Sequence, residues 1–239
     1  MVGNEAWNVS VQWLLVPVVV LSCAGFLRGV PQQSGQGSQS AAESHAADSG
    51  PAQISVMGSS CAEGGIRKAI SAVAAAGGGV VNVYCSGTYN IGSNLWAGVT
   101  APTKVVFGPG TFVVSAQQIL PDNAEVAGSG FGTVFRIDPN ATFNTPFDSG
   151  IFTNVLNLGA HNKDKNSGIS LHDFKIDGKN NRRNTAGVSF YNIERSSIHD
   201  LDIQSTWLSG IDLRNASDLD VRDNWCIDCA SHEIGRAHV

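Results

Sequence analysis

Apolar positions change their spacing once along this chain, and the change divides it into one helix and many strands. Ile66, Ile70 and Val73 recur at i, i+4 and i+7, the spacing of one helical face. Ser60 and Glu63 stand as an S-x-x-E capping box before them, and Gly77-Gly78-Gly79 ends the run. From there the chain reads as short apolar strands. Val80-Val81-Asn82-Val83-Tyr84 is followed by Ser86-Gly87-Thr88-Tyr89, and Val105-Val106-Phe107 by Gly108-Pro109-Gly110-Thr111-Phe112. Glycines punctuate the strands and are read as the corners between them.

The strand pattern repeats. The shift that lays Gly187–Asn192 on Gly210–Asn215 also lays Ile198, Asp200 and Ile203 on Val221, Asp223 and Cys226. A slightly longer shift carries Leu171, Asp173, Phe174 and Ile176 onto Ile198, Asp200, Leu201 and Ile203. The polar stretch 179–186 accounts for the longer interval. A period in the twenties with strand alternation inside it predicts a stacked solenoid with rungs about 4.8 Å apart. Like residues then stack, with Asn192 on Asn215 as an amide ladder. Residues between the inward aliphatics form outward columns: His172–His199–Arg222, Lys175–Asp202–Trp225 and Ser170–Ser197–Asp220, with Ser189 beneath Asp212.

Composition narrows the class. Charged residues make up only 15% of the 239, with 15 Lys+Arg against 20 Asp+Glu. That balance excludes a basic nucleic-acid binder, and no nucleic-acid partner is expected. It also excludes a charge-rich disordered chain or a coiled coil. The charge is uneven: 163–183 holds six basic and three acidic residues, and 200–228 holds seven acidic and two basic.

The ends read as separate from the fold. Trp13–Cys23 is an uncharged apolar run, too short for the roughly 20 residues of a membrane helix. Residues 1–25 are read as a signal peptide, or as a lipoprotein signal with Cys23 as the lipidated residue. Either implies a secreted, periplasmic or cell-surface protein, touching a membrane only through such an anchor. Residues 26–53, rich in Gln, Ser, Gly and Ala, read as a disordered linker. Residues 54–232 are the N-terminal part of the solenoid domain. Glu233–Val239 resembles a translated sequencing adapter and is read as a non-native tail, which makes the chain a fragment of a protein expected to be monomeric at full length.

Two segments resemble a known family. GIRKAISAVAAAGGGVVNVYCSGTYNI (65–91) is similar to the entry helix and first strands of the pectate lyase superfamily, and LPDNAEVAGSGFGTVFRI (120–137) is similar to one of its coils. The resemblance implies an all-β, right-handed parallel β-helix of about 23–27 residues per coil, plugged by an N-terminal α-helix. It also implies an exported protein acting on an acidic, pectin-like polysaccharide as a lyase or glycoside hydrolase. The superfamily includes non-catalytic adhesins and tail-spike-like proteins as well, so glycan binding without catalysis is the alternative.

Each chemistry has candidate residues. A lyase needs a base and cations or Ca²⁺ to neutralise the uronate carboxylate. Lys175 and Arg182 are the candidate bases, Lys179 and Arg183 candidate substrate cations, and Asp177 and Asp200 candidate Ca²⁺ ligands. A hydrolase needs two carboxyls flanking the bond, for which Asp202 and Asp212 are the candidates, with Asp220 and Asp223 nearby. Trp207 and Trp225 are sugar-stacking platforms or coil packing. The recurrence of Asp173, Asp200 and Asp223 also fits turn capping. Cys61 and Cys85 could pair in an oxidising compartment. Cys226-x-x-Cys229-x-x-His232 offers three metal-type ligands where zinc needs a fourth, and lacks the βαβ context of a redox site.

Overall fold

The structure is a computed structural model, described here for residues 50–143, 150–155, 164–179, 181, 183, 185–229 and 234–235. The chain groups into two units, Met1–Ala46 and Ala47–Val239, of which the first lies outside the described residues. So do the signal sequence, nearly all of the 26–53 linker, Arg182, His232 and most of the 233–239 tail.

Among the described residues fifteen strands join one sheet, and every pairing is parallel. The sheet curls because each strand pairs with the chain one turn later, giving a parallel β-helix-like fold. Three ladders run through it. The first takes Ala52–Met57, Gly79–Tyr84, Thr103–Phe107 and Ala124–Ala127, then the start of Ser170–Asp177 and the later parts of Ala186–Gln204 and Ile211–Arg222. The second takes Thr88–Ile91, Gly110–Val114, Thr133–Ile137, residues 175–177, 202–204 and Trp225–Ile227. The third takes Gln118–Leu120, Gly150–Asn154 and the starts of the two long strands. The backbone of Ile234–Gly235 pairs onward with Ile211 and Asp212, one turn earlier.

The register explains the repeat. Ile54, Val81, Val105, Val126, Leu171, Ile198 and Val221 lie on one another in the first ladder. The step from Val126 to Leu171 is almost twice as long as the others, because an excursion between Ile137 and Asn166 lengthens that turn. Inside the coils, Phe107, Phe112, Phe135, Phe152 and Phe174 form a continuous aromatic core. Phe135 touches the other four at ring-centroid distances of 5.0, 5.5, 5.1 and 5.0 Å, three of them edge-on. Edge-on contact aligns the positive rim of one ring with the negative face of the next.

The corners are not all glycine. In the later coils they are single left-handed residues in matched pairs one turn apart: Asn192 and Asn215, Arg195 and Asp218, Asp200 and Asp223, Ser205 and Asp228, all with φ between 46° and 57°. Asn and Asp tolerate this conformation because their short polar side chains bond locally. Glycine is needed where backbones meet. At Gly79 (φ +145°) a Cβ would lie 2.0 Å from the Ala52 carbonyl oxygen, and at Gly128 it would lie 2.1 Å from that of Asp173.

The helix Glu63–Ala75 buries Ile66, Ala69, Ile70 and Val73 at the end of the solenoid. The predicted capping box does not form, because residues 58–61 are a 3-10 turn and Ala62 is the N-cap. Glu63 instead accepts the Gly92 N–H at 2.5 Å and the Ser93 hydroxyl, tying the helix to the first full coil. Cys61 and Cys85 form a buried disulfide, Cα–Cα 5.7 Å, between the same two parts.

Candidate functional site

The columns read from the repeat are all present. His172, His199 and Arg222 are register partners, as are Lys175, Asp202 and Trp225, and Ser170, Ser197 and Asp220; Ser189 pairs with Asp212. Strand alternation turns the first three columns outward, those of His172 and Ser170 divided from that of Lys175 by the left-handed corner Asp173–Asp200–Asp223, whereas Ser189, on the third ladder, is buried. Asn215 donates its amide N–H to the Asn192 side-chain oxygen, the predicted ladder.

On the first face the histidine rings stack, with centroids 4.9 Å apart and planes 9° off parallel. Each Nδ1 faces the carboxylate of the corner residue that follows it, Asp173 at 2.6 Å and Asp200 at 2.8 Å. Asp223 likewise accepts from Arg222 at 3.1 Å. The recurring aspartates occupy the left-handed corner, and their carboxylates hold the preceding cationic or imidazole side chain. His172 Nε2 lies 2.9 Å from Glu125, which also accepts from Lys104 at 2.5 Å.

Glu125 is held below its ordinary carboxyl value of 4.5: burial alone would raise it, but hydrogen bonds from Lys104 and His172 outweigh that. Glu63 is lowered as well, with burial opposing and Ser93, Gly92 and Arg67 prevailing. A folded carboxyl below its unfolded value means that the unfolded chain binds more protons over that range. The stabilisation is thus fully present above the unfolded value and is lost as pH falls through the folded one. The midpoint of thermal unfolding should drop below about pH 5, and Glu125→Gln should flatten part of that drop. An identical acid limb in this variant would remove Glu125 from the account.

On the second face Lys175 Nζ donates to Gln204 Oε1 at 2.6 Å and lies 3.6 Å from Asp202. Gln204 Nε2 in turn lies 3.0 Å from both oxygens of Asp202. Asp212 is on the third ladder, gripped by Arg214 at 3.2 and 2.5 Å. The two candidate hydrolytic carboxylates thus stand on different ladders, each with a cation of its own chain beside it.

The candidate Ca²⁺ ligands do not come together. Asp177 accepts from Arg136 Nε at 3.0 Å and from the Lys179 N–H at 3.1 Å, whereas Asp200 sits at the corner against His199. Among the described residues no three His, Cys, Asp or Glu side chains converge as a metal site would. These donors do not fit a Ca²⁺ site. Cys226 and Cys229 form a disulfide, Cα–Cα 6.1 Å, so they offer no thiolates to a metal.

Of the predicted substrate residues, Lys179, Arg183 and Trp207 lie on segments joined by backbone hydrogen bonds, whereas Trp225 stands on the second ladder. Gly178 N donates to Gln204 O at 2.8 Å and Leu208 N to Thr185 O at 2.9 Å, which lays the loop of Lys179 and Arg183 on the segment of Trp207. Arg183 donates to Thr142 at 2.7 Å, and Lys179 is exposed. Trp207 is 47% exposed and Trp225 is 67% exposed. Sequence reasoning missed Lys104, Glu125, Arg136 and Gln204. The first three lie before the long excursion, where the period no longer predicts a partner; Gln204 was legible as the outward residue two positions after Asp202.

No family model, curated protein or solved structure matches this chain.

Proposed function

We propose that the chain is part of an exported right-handed parallel β-helix of the pectate-lyase type, and that its outward columns bind an extended acidic polysaccharide. The observation that carries this is the exposure of Trp207 and Trp225, 47% and 67%, on a fold whose outward positions stack in register. Trp225 stands one rung above Asp202 and two above Lys175, and Leu208, next to Trp207, is backbone-bonded to Thr185 beside the loop of Lys179 and Arg183. A tryptophan face stacks on the apolar face of a sugar ring, and a nearby cation meets its carboxylate. Rungs about 4.8 Å apart repeat on the length scale of a sugar ring, so a polymer lying along the axis meets like positions in turn.

Binding is supported better than hydrolysis, because Asp202 and Asp212 lie on separate ladders and each is neutralised within the chain. Elimination is the second reading. Its candidate base is Lys175, with Lys179 and Arg183 as cations for the uronate carboxylate.

The test is titration with polygalacturonate and with a neutral polymer of equal length, read by tryptophan fluorescence. The acidic polymer should bind, and more weakly as salt rises. Trp225→Ala should weaken binding at least about tenfold, roughly 1.4 kcal/mol. Equal affinity for both polymers would end the acidic reading, and wild-type affinity in both Trp207→Ala and Trp225→Ala would end the platform. Unsaturated uronate in the same mixture would show elimination.

A further inference from the structure

Three triplets of the form Asn-x-Ser/Thr occur, at Asn8, Asn140 and Asn215. Asn8 lies outside the described residues, and the fold treats the other two differently. Asn140-Ala141-Thr142 follows the strand Thr133–Ile137 in an exposed turn. Asp138 and Pro139 open this turn, with Ala141 N donating to Asp138 O at 3.0 Å and Asn140 N to Asp138 Oδ1 at 2.7 Å. Buried Asn181 clamps it from the next coil, donating to the carbonyls of Asp138 and Ala141 at 2.8 and 3.0 Å. The Asn140 side chain projects from a rigid support, with only its backbone N–H used in the turn. Asn215, in contrast, lies within the strand Ile211–Arg222 at φ 50° and commits one of its two amide N–H groups to the ladder with Asn192.

We propose that Asn140 is an N-glycosylation site and that Asn215 is not. The sequon is the acceptor pattern, it stands on the surface, and the buried Cys61–Cys85 disulfide fits the oxidising compartment in which the transfer occurs. The co-reactant is a polyprenyl-diphosphate oligosaccharide. Asn140 Nδ2 bonds to its anomeric carbon, the bond from that carbon to the diphosphate oxygen breaks, and the diphosphate leaves with the electron pair. The amide loses one proton to a base of the transferase, and nothing is oxidised or reduced. A glycan at Asn215 would instead break the amide ladder. The inference rests on the export reading, because transfer requires entry into that compartment. The glycan would stand near the Lys179–Arg183 loop, since Asn181 and Arg183 both bond to residues 138–142.

The test separates the site from the export signal. The full chain, placed behind the signal peptide of a secreted eukaryotic protein, is made in eukaryotic cells. The secreted product is released from glycans by peptide N-glycosidase in heavy-oxygen water, and labelled aspartates are mapped by peptide mass spectrometry. Label should appear at residue 140 and not at 215. Asn140→Gln and Thr142→Ala should each lose one glycan-sized mass step, and Thr142→Ser should keep it. Secreted protein without label at 140, or with label at 215, overturns the proposal. A second arm keeps the native leader: its retention in the cytosol would sink the export reading, while the first arm still decides the site.

Discussion

Truncating Phe135 to alanine is expected to cost about 3–5 kcal/mol of folding stability, the largest effect of any single substitution considered. Phe135 is 2% exposed and lies against four other phenylalanines from three successive coils. Removing the ring loses its transfer from water and leaves a cavity. That cavity cannot close readily, because every wall is a strand paired on both sides. A solenoid is held together by contacts between neighbouring coils, so a void between coils weakens the interface on which cooperativity depends. Urea unfolding followed by far-ultraviolet circular dichroism would show a lower midpoint, with Phe135→Leu falling between the alanine variant and the parent. A loss under about 1 kcal/mol for the alanine variant would mean that the aromatic core is not packed as described.

Removing the Cys61–Cys85 disulfide is expected to cost about 3.5 kcal/mol, by the loop-closure entropy of a bridge spanning 24 residues. The bridge joins the turn before the capping helix to the end of the first full-coil strand. Its loss would let the helix lift from the apolar end of the coils. The Cys226–Cys229 bridge spans only 3 residues and should contribute about 1.6 kcal/mol on the same model. Paired alanine variants distinguish the two: Cys61→Ala with Cys85→Ala should lower the unfolding midpoint well beyond Cys226→Ala with Cys229→Ala. Equal losses, or a larger loss for the short bridge, would contradict a cap stapled for stability.

Much of the outward surface was legible in the sequence. The three outward columns and the Asn192–Asn215 ladder follow from the nearly constant coil period and from alternation of side chains across a strand. Both are local properties, and they hold wherever the intervals between coils are regular. Legibility ended at the long excursion before Asn166. There the partner of Ser170 is Glu125, almost twice the usual distance back along the chain, and no constant shift finds it. The Lys104–Glu125–His172 chain of contacts was lost with it.

Other misreadings have local causes. The Ser60–Glu63 capping box failed because the residues before Glu63 form a 3-10 turn, leaving Glu63 free to reach Gly92 and Ser93 one coil away. The glycine corners were half the account, since Asp and Asn take the left-handed bend in the later coils. The tryptophans could not be assigned from sequence, because an outward position is exposed or covered according to what the neighbouring loops do.

By itself the sequence determined the repeat, which residues face in and which face out, and which outward residues share a column. The reason is that side chains alternate strictly along a strand and the coil period is nearly constant. Only the tertiary structure decided which charges answer each other. Lys175 reaches Gln204 and Asp202, Arg136 reaches Asp177 and Arg214 turns back onto Asp212, contacts that depend on rotamer, corner angle and loop length together. Those contacts separate a surface of satisfied ion pairs with exposed tryptophans from a pair of free catalytic carboxylates.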